Sequence, residues 1–152
     1  MKYLIRQYLF SLAVLCLSTG CATTISTSNH GKGYHLASQI KNFVGSPYSY
    51  GGNDPSGFDC SGLMQYTHYK LGIKIPRTTK AQLHRSSPIK LAQMSYGDLI
   101  FFRLNRNKNL HVGMYVGNNH MVHAPSSNKN VDFAELDKSY WRPRIIAIGR
   151  FF

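Results

Sequence analysis

The hydrophobic period changes part-way along this chain, and the change narrows the folds open to it. Leu36, Ile40, Phe43 and Val44 recur at helical spacing, with Gly45 placed to cap the run. Leu63, Met64, Thr67 and Leu71 repeat the pattern after Cys60, and Gly72 ends it. Arg77-Thr78-Thr79 opens a third, shorter helix with a hydroxyl at the cap position. Beyond Gly97-Asp98 the apolar runs are short, and residues 99–102, 111–116, 121–124 and 144–151 read as strands. Gly117-Asn118-Asn119 joins the middle two, and such residues tolerate positive φ, so the pair reads as a hairpin. Helices first and antiparallel strands later predict the α+β class. A length of 152 residues allows one ordinary domain, and 43% hydrophobic against 16% charged residues excludes a globally disordered chain.

The first 33 residues stand apart from that domain. Lys2 and Arg6 make a basic start, residues 8–17 are apolar but too short to span a bilayer comfortably, and Ser18-Thr19-Gly20 puts small residues before Cys21. Residues 1–20 resemble a bacterial lipoprotein signal, after which Cys21 would be diacylated and become the N-terminus; a plain secretory signal is the simpler alternative. Residues 21–33 are small and polar and read as a flexible tether, leaving 34–152 as the domain. Ala22 stands where an aspartate often retains lipoproteins in an inner membrane. The expected location is therefore the cell envelope, on the outer membrane facing the periplasm, with the lipid on Cys21 as anchor.

Charge and motifs exclude several functions. Eighteen Lys and Arg oppose six Asp and Glu, for a net +12, of which +10 remains without residues 1–20. The basic residues are scattered, and export argues against nucleic acid, so an anionic wall polymer is the expected partner and a monomer the expected state. No G-x-x-x-x-G-K-S/T loop, C-x-x-C pair or H-E-x-x-H helix occurs, which removes phosphate-loop, zinc-ribbon and zincin chemistry.

The remaining chemistry centres on Cys60. It sits in Phe58-Asp59-Cys60-Ser61-Gly62 at the start of a helix, where unpaired N–H groups and the dipole favour a thiolate. A thiolate nucleophile needs a base, and His111 heads a strand. His123 follows twelve residues on, in the next strand. An odd hairpin loop would turn both imidazoles to one face, so His123 can orient His111. The Cys60 N–H and a donor from the loop at Tyr48 to Gly52 could hold an oxyanion. Cys60, His111 and His123 could instead ligate zinc, but no metal-ligand spacing accompanies them, and neither metal nor cofactor is expected. Tyr66, Tyr69 and Trp141 read as core or rim aromatics, and His68 has no visible partner.

The segments PYSYGG (47–52), FDCSGL (58–63), IPRTT (75–79), YGDLIFF (96–102), LHVGMYVG (110–117) and MVHA (121–124) resemble, in order and spacing, the NlpC-type papain-like cysteine peptidases. The resemblance implies a papain-like fold, N-terminal helices packed on an antiparallel sheet. It implies bacterial endopeptidases that cut peptidoglycan stem peptides, either at the D-glutamyl–diaminopimelate link or at the cross-link between stems. By motif position Cys60 is the nucleophile, His111 the base and His123 the third polar residue. Tyr48 matches the tyrosine beside the nucleophile, and Asp59 and Ser61 match residues that help hold the stem peptide. Two other readings use the same fold: an idle wall-binding lipoprotein, and an acyl or peptidyl transferase.

Overall fold

The computed structural model describes residues 29–104 and 109–152. The expected signal, Cys21 and the first part of the expected tether lie outside the described residues. Among the described residues no helix is long and apolar enough to cross a membrane. Helix α1 (Asn29–Lys41) begins inside the segment expected to be tether, so residues 29–33 are helical. Gly33 explains why: a Cβ there would lie 2.2 Å from the Tyr96 carbonyl oxygen, so this glycine serves close docking, not flexibility.

A small hairpin follows, β1 (Asn53–Asp54) and β2 (Gly57–Phe58), and leads straight into α2 (Cys60–Tyr69). Helix α3 (Thr79–Arg85) is capped by the Thr78 side chain, as its hydroxyls suggested. The remaining strands are β3 (Ser87–Pro88), β4 (Leu99–Arg103), β5 (Leu110–Gly117), β6 (His120–His123), β7 (Asp132–Glu135) and β8 (Ile145–Arg150). They form one antiparallel sheet in the order β3-β8-β4-β5-β6-β7.

Strand β4 is buried on both faces. Leu99 and Phe101 pack with Leu36, Ile40, Leu63 and Met64 of the helices, whereas Ile100 and Phe102 join Met121, Leu136 and Ile148 on the opposite face. That two-sided burial is why the run LIFF shows no polar alternation. Asp98 is fully buried before β4, and its carboxylate accepts two hydrogen bonds from Arg150 (2.7 and 2.9 Å) and one from the Ser95 N–H. This ion pair fastens the C-terminal strand to the centre of the sheet.

The hairpin from β5 to β6 carries a bulge between Tyr115 and Gly117. Gly117, Asn118 and Asn119 all adopt positive φ, as such a turn requires. The bulge decides the site. Beyond it Met114 pairs with Val122 and Tyr115 with Met121, a register that puts His123 opposite Gly113 and diagonal to His111, on one face. In the register of the Gly117–His120 pair, without the bulge, the two imidazoles would face opposite ways.

Candidate active site

Cys60 is the first residue of α2, and Asp59 is its N-cap. The Asp59 carboxylate is saturated. Oδ1 accepts from the Gly62 N–H (2.6 Å), the Ser61 hydroxyl (3.2 Å) and Arg77 (2.9 Å); Oδ2 accepts from Arg77 (2.6 Å) and the Gly51 N–H (3.1 Å). Arg77 also donates to Ser61 Oγ (3.0 Å) and to the Gly52 carbonyl (3.2 Å). Burial opposes ionisation of Asp59, but the Arg77 and Gly62 donors overcome it and hold the carboxyl below the usual range. Asp59 and Ser61 are thus committed to one another and to Arg77, which the sequence offered only inside the segment IPRTT. Their oxygens bond within this cluster, which fastens the Cys60 turn.

Tyr48 is half-buried between two neighbours. Its N–H donates to the Lys129 carbonyl (2.9 Å), and it bridges to Phe58 on the other side. Burial, then the nearby Cys60 and Asp59 charges, hold its phenol above the ordinary value, which locates the ring beside the thiol. Thr79, at the head of α3, brings Oγ1 to 3.6 Å from the Cys60 sulfur. The sulfur also meets the backbone N–H of Val112, the residue after His111.

His111 Nε2 lies 2.9 Å from His123 Nδ1. Both rings are buried. Burial and the His123 charge push His111 down to about 3, and burial pushes His123 down to about 4. Trp141 covers the pair: it stacks on His111 (ring centroids 5.7 Å apart, planes at 27°) and meets His123 edge-on at 4.9 Å. Phe102 flanks His111 from below, at 6.2 Å. Nothing in the local sequence marked Trp141; it arrives from the connection between β7 and β8.

The thiol itself differs from the helix-mouth expectation. Burial pushes its pKa up; the Thr79 hydroxyl and the Val112 and Ser61 N–H groups pull it down, and Asp59 adds to the rise. The net direction is upward, away from the thiolate that the helix mouth favours. The sulfur's partner is Thr79, and the orienting contact of His111 uses Nε2, leaving Nδ1 as the other ring nitrogen. Catalytic contacts are often looser before substrate binds. Among the described residues no group of three or more His, Cys, Asp or Glu side chains converges as a metal site.

A helix-borne cysteine and a strand-borne histidine pair are thus the candidate groups of a thiol site. Residues 45–150 match the NlpC/P60 family, and the chain belongs to it. It is 43% identical over 107 residues to a probable endopeptidase NlpC homolog of Haemophilus influenzae, covering 70% of this chain and 56% of that protein. It is 38% identical to the bifunctional muramidase/DL-endopeptidase CwlT of Bacillus subtilis (71% of this chain, 33% of that one). It is also 38% identical to the murein DD-endopeptidase MepH of Escherichia coli (70% and 41%). A solved NlpC/P60 family protein from Bacillus cereus superimposes with a TM-score of 0.73 at 30% identity, over 78% of this chain and 40% of that one. The match therefore spans little more than half the length of these curated relatives at most.

Proposed function

We propose that the protein is a cell-wall endopeptidase, a cysteine peptidase that hydrolyses peptide bonds in peptidoglycan stem peptides through a thioester on Cys60. The observation that carries this reading is the meeting of the helix-borne sulfur and the Val112 N–H, next to a His111 whose Nε2 is held by His123 at 2.9 Å. As substrate enters, the thiol turns from Thr79 toward Nδ1 of His111. Nδ1 can accept a proton only in the tautomer that carries hydrogen on Nε2, and Nε2–H then donates to His123 Nδ1. His123 thereby selects the useful tautomer.

His111 takes the thiol proton as sulfur bonds to the scissile carbonyl carbon. The carbonyl electrons move to oxygen, and the Cys60 N–H and the Tyr48 hydroxyl hold the oxyanion. Each such donor contributes roughly 2.7–4 kcal/mol to lowering the barrier. The intermediate collapses, the C–N bond breaks, and the leaving nitrogen receives the proton from His111. Water then gives a proton to His111 and attacks the thioester, releasing the acid and restoring the thiol. Asp59, Ser61 and Arg77 act as positioning residues that fix the Cys60 turn. On this reading the enzyme is secreted by its signal and held through Cys21 to an envelope membrane, facing the wall.

The test is digestion of purified muropeptides followed by mass spectrometry of the products, which also assigns the bond. Cys60→Ala and His111→Ala are each expected to lower the rate by about 10⁴ or more with the far-ultraviolet circular dichroism unchanged. Alanine variants as active as the native chain would return the protein to the idle wall-binding reading. Product formed only when an acceptor amine is supplied would make it a transferase.

A further inference from the structure

The hydroxyl of Thr79 lies 3.6 Å from the Cys60 sulfur, and no step of the proposed reaction employs it once the thiol has turned toward His111. We propose that Thr79 is a positioning residue for the nucleophile, its hydroxyl donating to the Cys60 sulfur and holding it in place as the sulfur takes on negative charge. The proposal rests on the endopeptidase reading and deepens it.

Local chemistry frees the hydroxyl for this task. A threonine near the start of a helix ordinarily turns its hydroxyl to the backbone, either as a cap or back to the carbonyl three or four residues earlier. Here those duties are filled by others. Thr78 is the cap of α3 and accepts from the Ala81 N–H (3.3 Å). The Ile75 carbonyl accepts from Gln65 Nε2 (3.0 Å), and the Pro76 carbonyl accepts from Gln82 Nε2 (2.8 Å). Thr79 is buried, and its hydroxyl meets the sulfur.

The spacing is held by one amide. Gln82 is fully buried, and its Nε2 donates also to the Ser61 carbonyl (3.0 Å). It thereby ties the first turn of α2, which carries the sulfur, to the segment that leads into α3, which carries the hydroxyl.

The contact changes sense during the reaction. At rest either atom can donate across it. When the thiol proton passes to Nδ1 of His111, the hydroxyl keeps its own proton and becomes the donor, and the sulfur accepts. A hydrogen bond to an ionised group is roughly twice as strong as a neutral one, so the hold tightens as charge develops. The Val112 and Ser61 N–H groups act in the same sense, and burial and the Asp59 charge oppose them. Arg77 and Tyr48 lie close enough to feel the charge on the sulfur, and His111 precedes the residue whose N–H meets it. A change at Thr79 leaves all of these groups in place.

The experiment follows alkylation of Cys60 by iodoacetamide across pH in the full purified chain, read by mass spectrometry of the peptide that carries Cys60, beside kcat/KM on muropeptides. Thr79→Val keeps the branched shape and removes the hydroxyl; Thr79→Ser keeps the hydroxyl and removes a methyl. Thr79→Val is expected to raise the midpoint of alkylation by about half to one pH unit, a roughly three- to tenfold smaller thiolate fraction at neutral pH, and to lower kcat/KM severalfold. Thr79→Ser should restore most of both. A packing role predicts the reverse order, with Thr79→Ser the poorer variant. A native midpoint or a native kcat/KM in Thr79→Val overturns the proposal, and so does a Thr79→Ser variant as impaired as Thr79→Val. A native chain that cuts no muropeptide overturns the endopeptidase reading instead, and the alkylation midpoints then decide alone whether Thr79 holds the sulfur.

Discussion

The two flanks of Cys60 are built on opposite plans. On the Asp59 side the charges are closed on one another: one carboxylate gathers five hydrogen bonds, and Arg77 joins the glycine loop, the cap and Ser61 into one unit. On the His123 side the polar atoms are few, the imidazoles are covered by an aromatic ring, and two opposite charges stand open along a groove. The difference teaches a division of labour. A nucleophile must be held still, and a closed ionic cluster does that; a general base must change protonation state, and a fixed charge beside it would trap it in one form. On the proposed mechanism, burying His111 against Trp141 and pairing it with a neutral histidine keeps it available as a base even in mildly acid conditions.

The sharpest way to break this contrast is on the closed side. Asp59→Ala removes the cap of α2 and leaves Arg77 without its partner. Capping alone contributes about 1 kcal/mol and a broken, partly buried pair adds more, so a loss of roughly 2–4 kcal/mol is expected. Thermal melting would register this as a fall of about 10 °C. If the melting temperature instead stays within a degree or two, the cluster is not what holds the turn.

On the open side, Trp141→Ala should leave melting less affected and act on the pH profile. Without the indole both imidazoles gain water, and their pKa values rise from about 3 and about 4 toward the ordinary value. A protonated His111 cannot accept the thiol proton, so the acid limb of kcat/KM should move to higher pH, with a loss of about 10-fold near pH 5. An acid limb at the native position would show that the ring is packing only.

The smallest expected effect lies away from both flanks. His68 is fully buried on α2; its Nδ1 bonds to the Met64 carbonyl (2.8 Å), Nε2 has no partner, and burial pushes the ring down to about 4. Its folded pKa is therefore below its unfolded one. Stability is complete above about pH 6.5, where the ring is neutral in both states, and falls as the pH drops from there toward 4, because only the unfolded chain takes up the proton. His68→Leu removes this loss. Denaturant titrations should show the variant gaining on the order of 1–2 kcal/mol relative to the native chain between pH 8 and pH 5. Parallel losses in the two proteins would place the acid sensitivity elsewhere.

Much of this molecule could be read along the chain, because local rules set it. The heads of α2 and α3, the turn at Gly117 to Asn119 and the strand at 99–102 all came from residues adjacent in sequence. The strand Asp132–Glu135 escaped notice because it is a mostly exposed edge whose burial does not alternate. The helical residues 29–33 escaped because their composition is that of a linker, and the close approach of Gly33 to Tyr96 and Phe152 is not local in sequence.

What only tertiary structure decided is which of these residues touch. A one-residue bulge sets the face His123 occupies, and no local propensity encodes a register. Trp141 reaches the imidazole pair through the connection that follows β7, and Asp59 is paired with an arginine eighteen residues away. Periodicity reports how a segment meets water; contact between distant segments is settled by packing, which a single chain position does not carry.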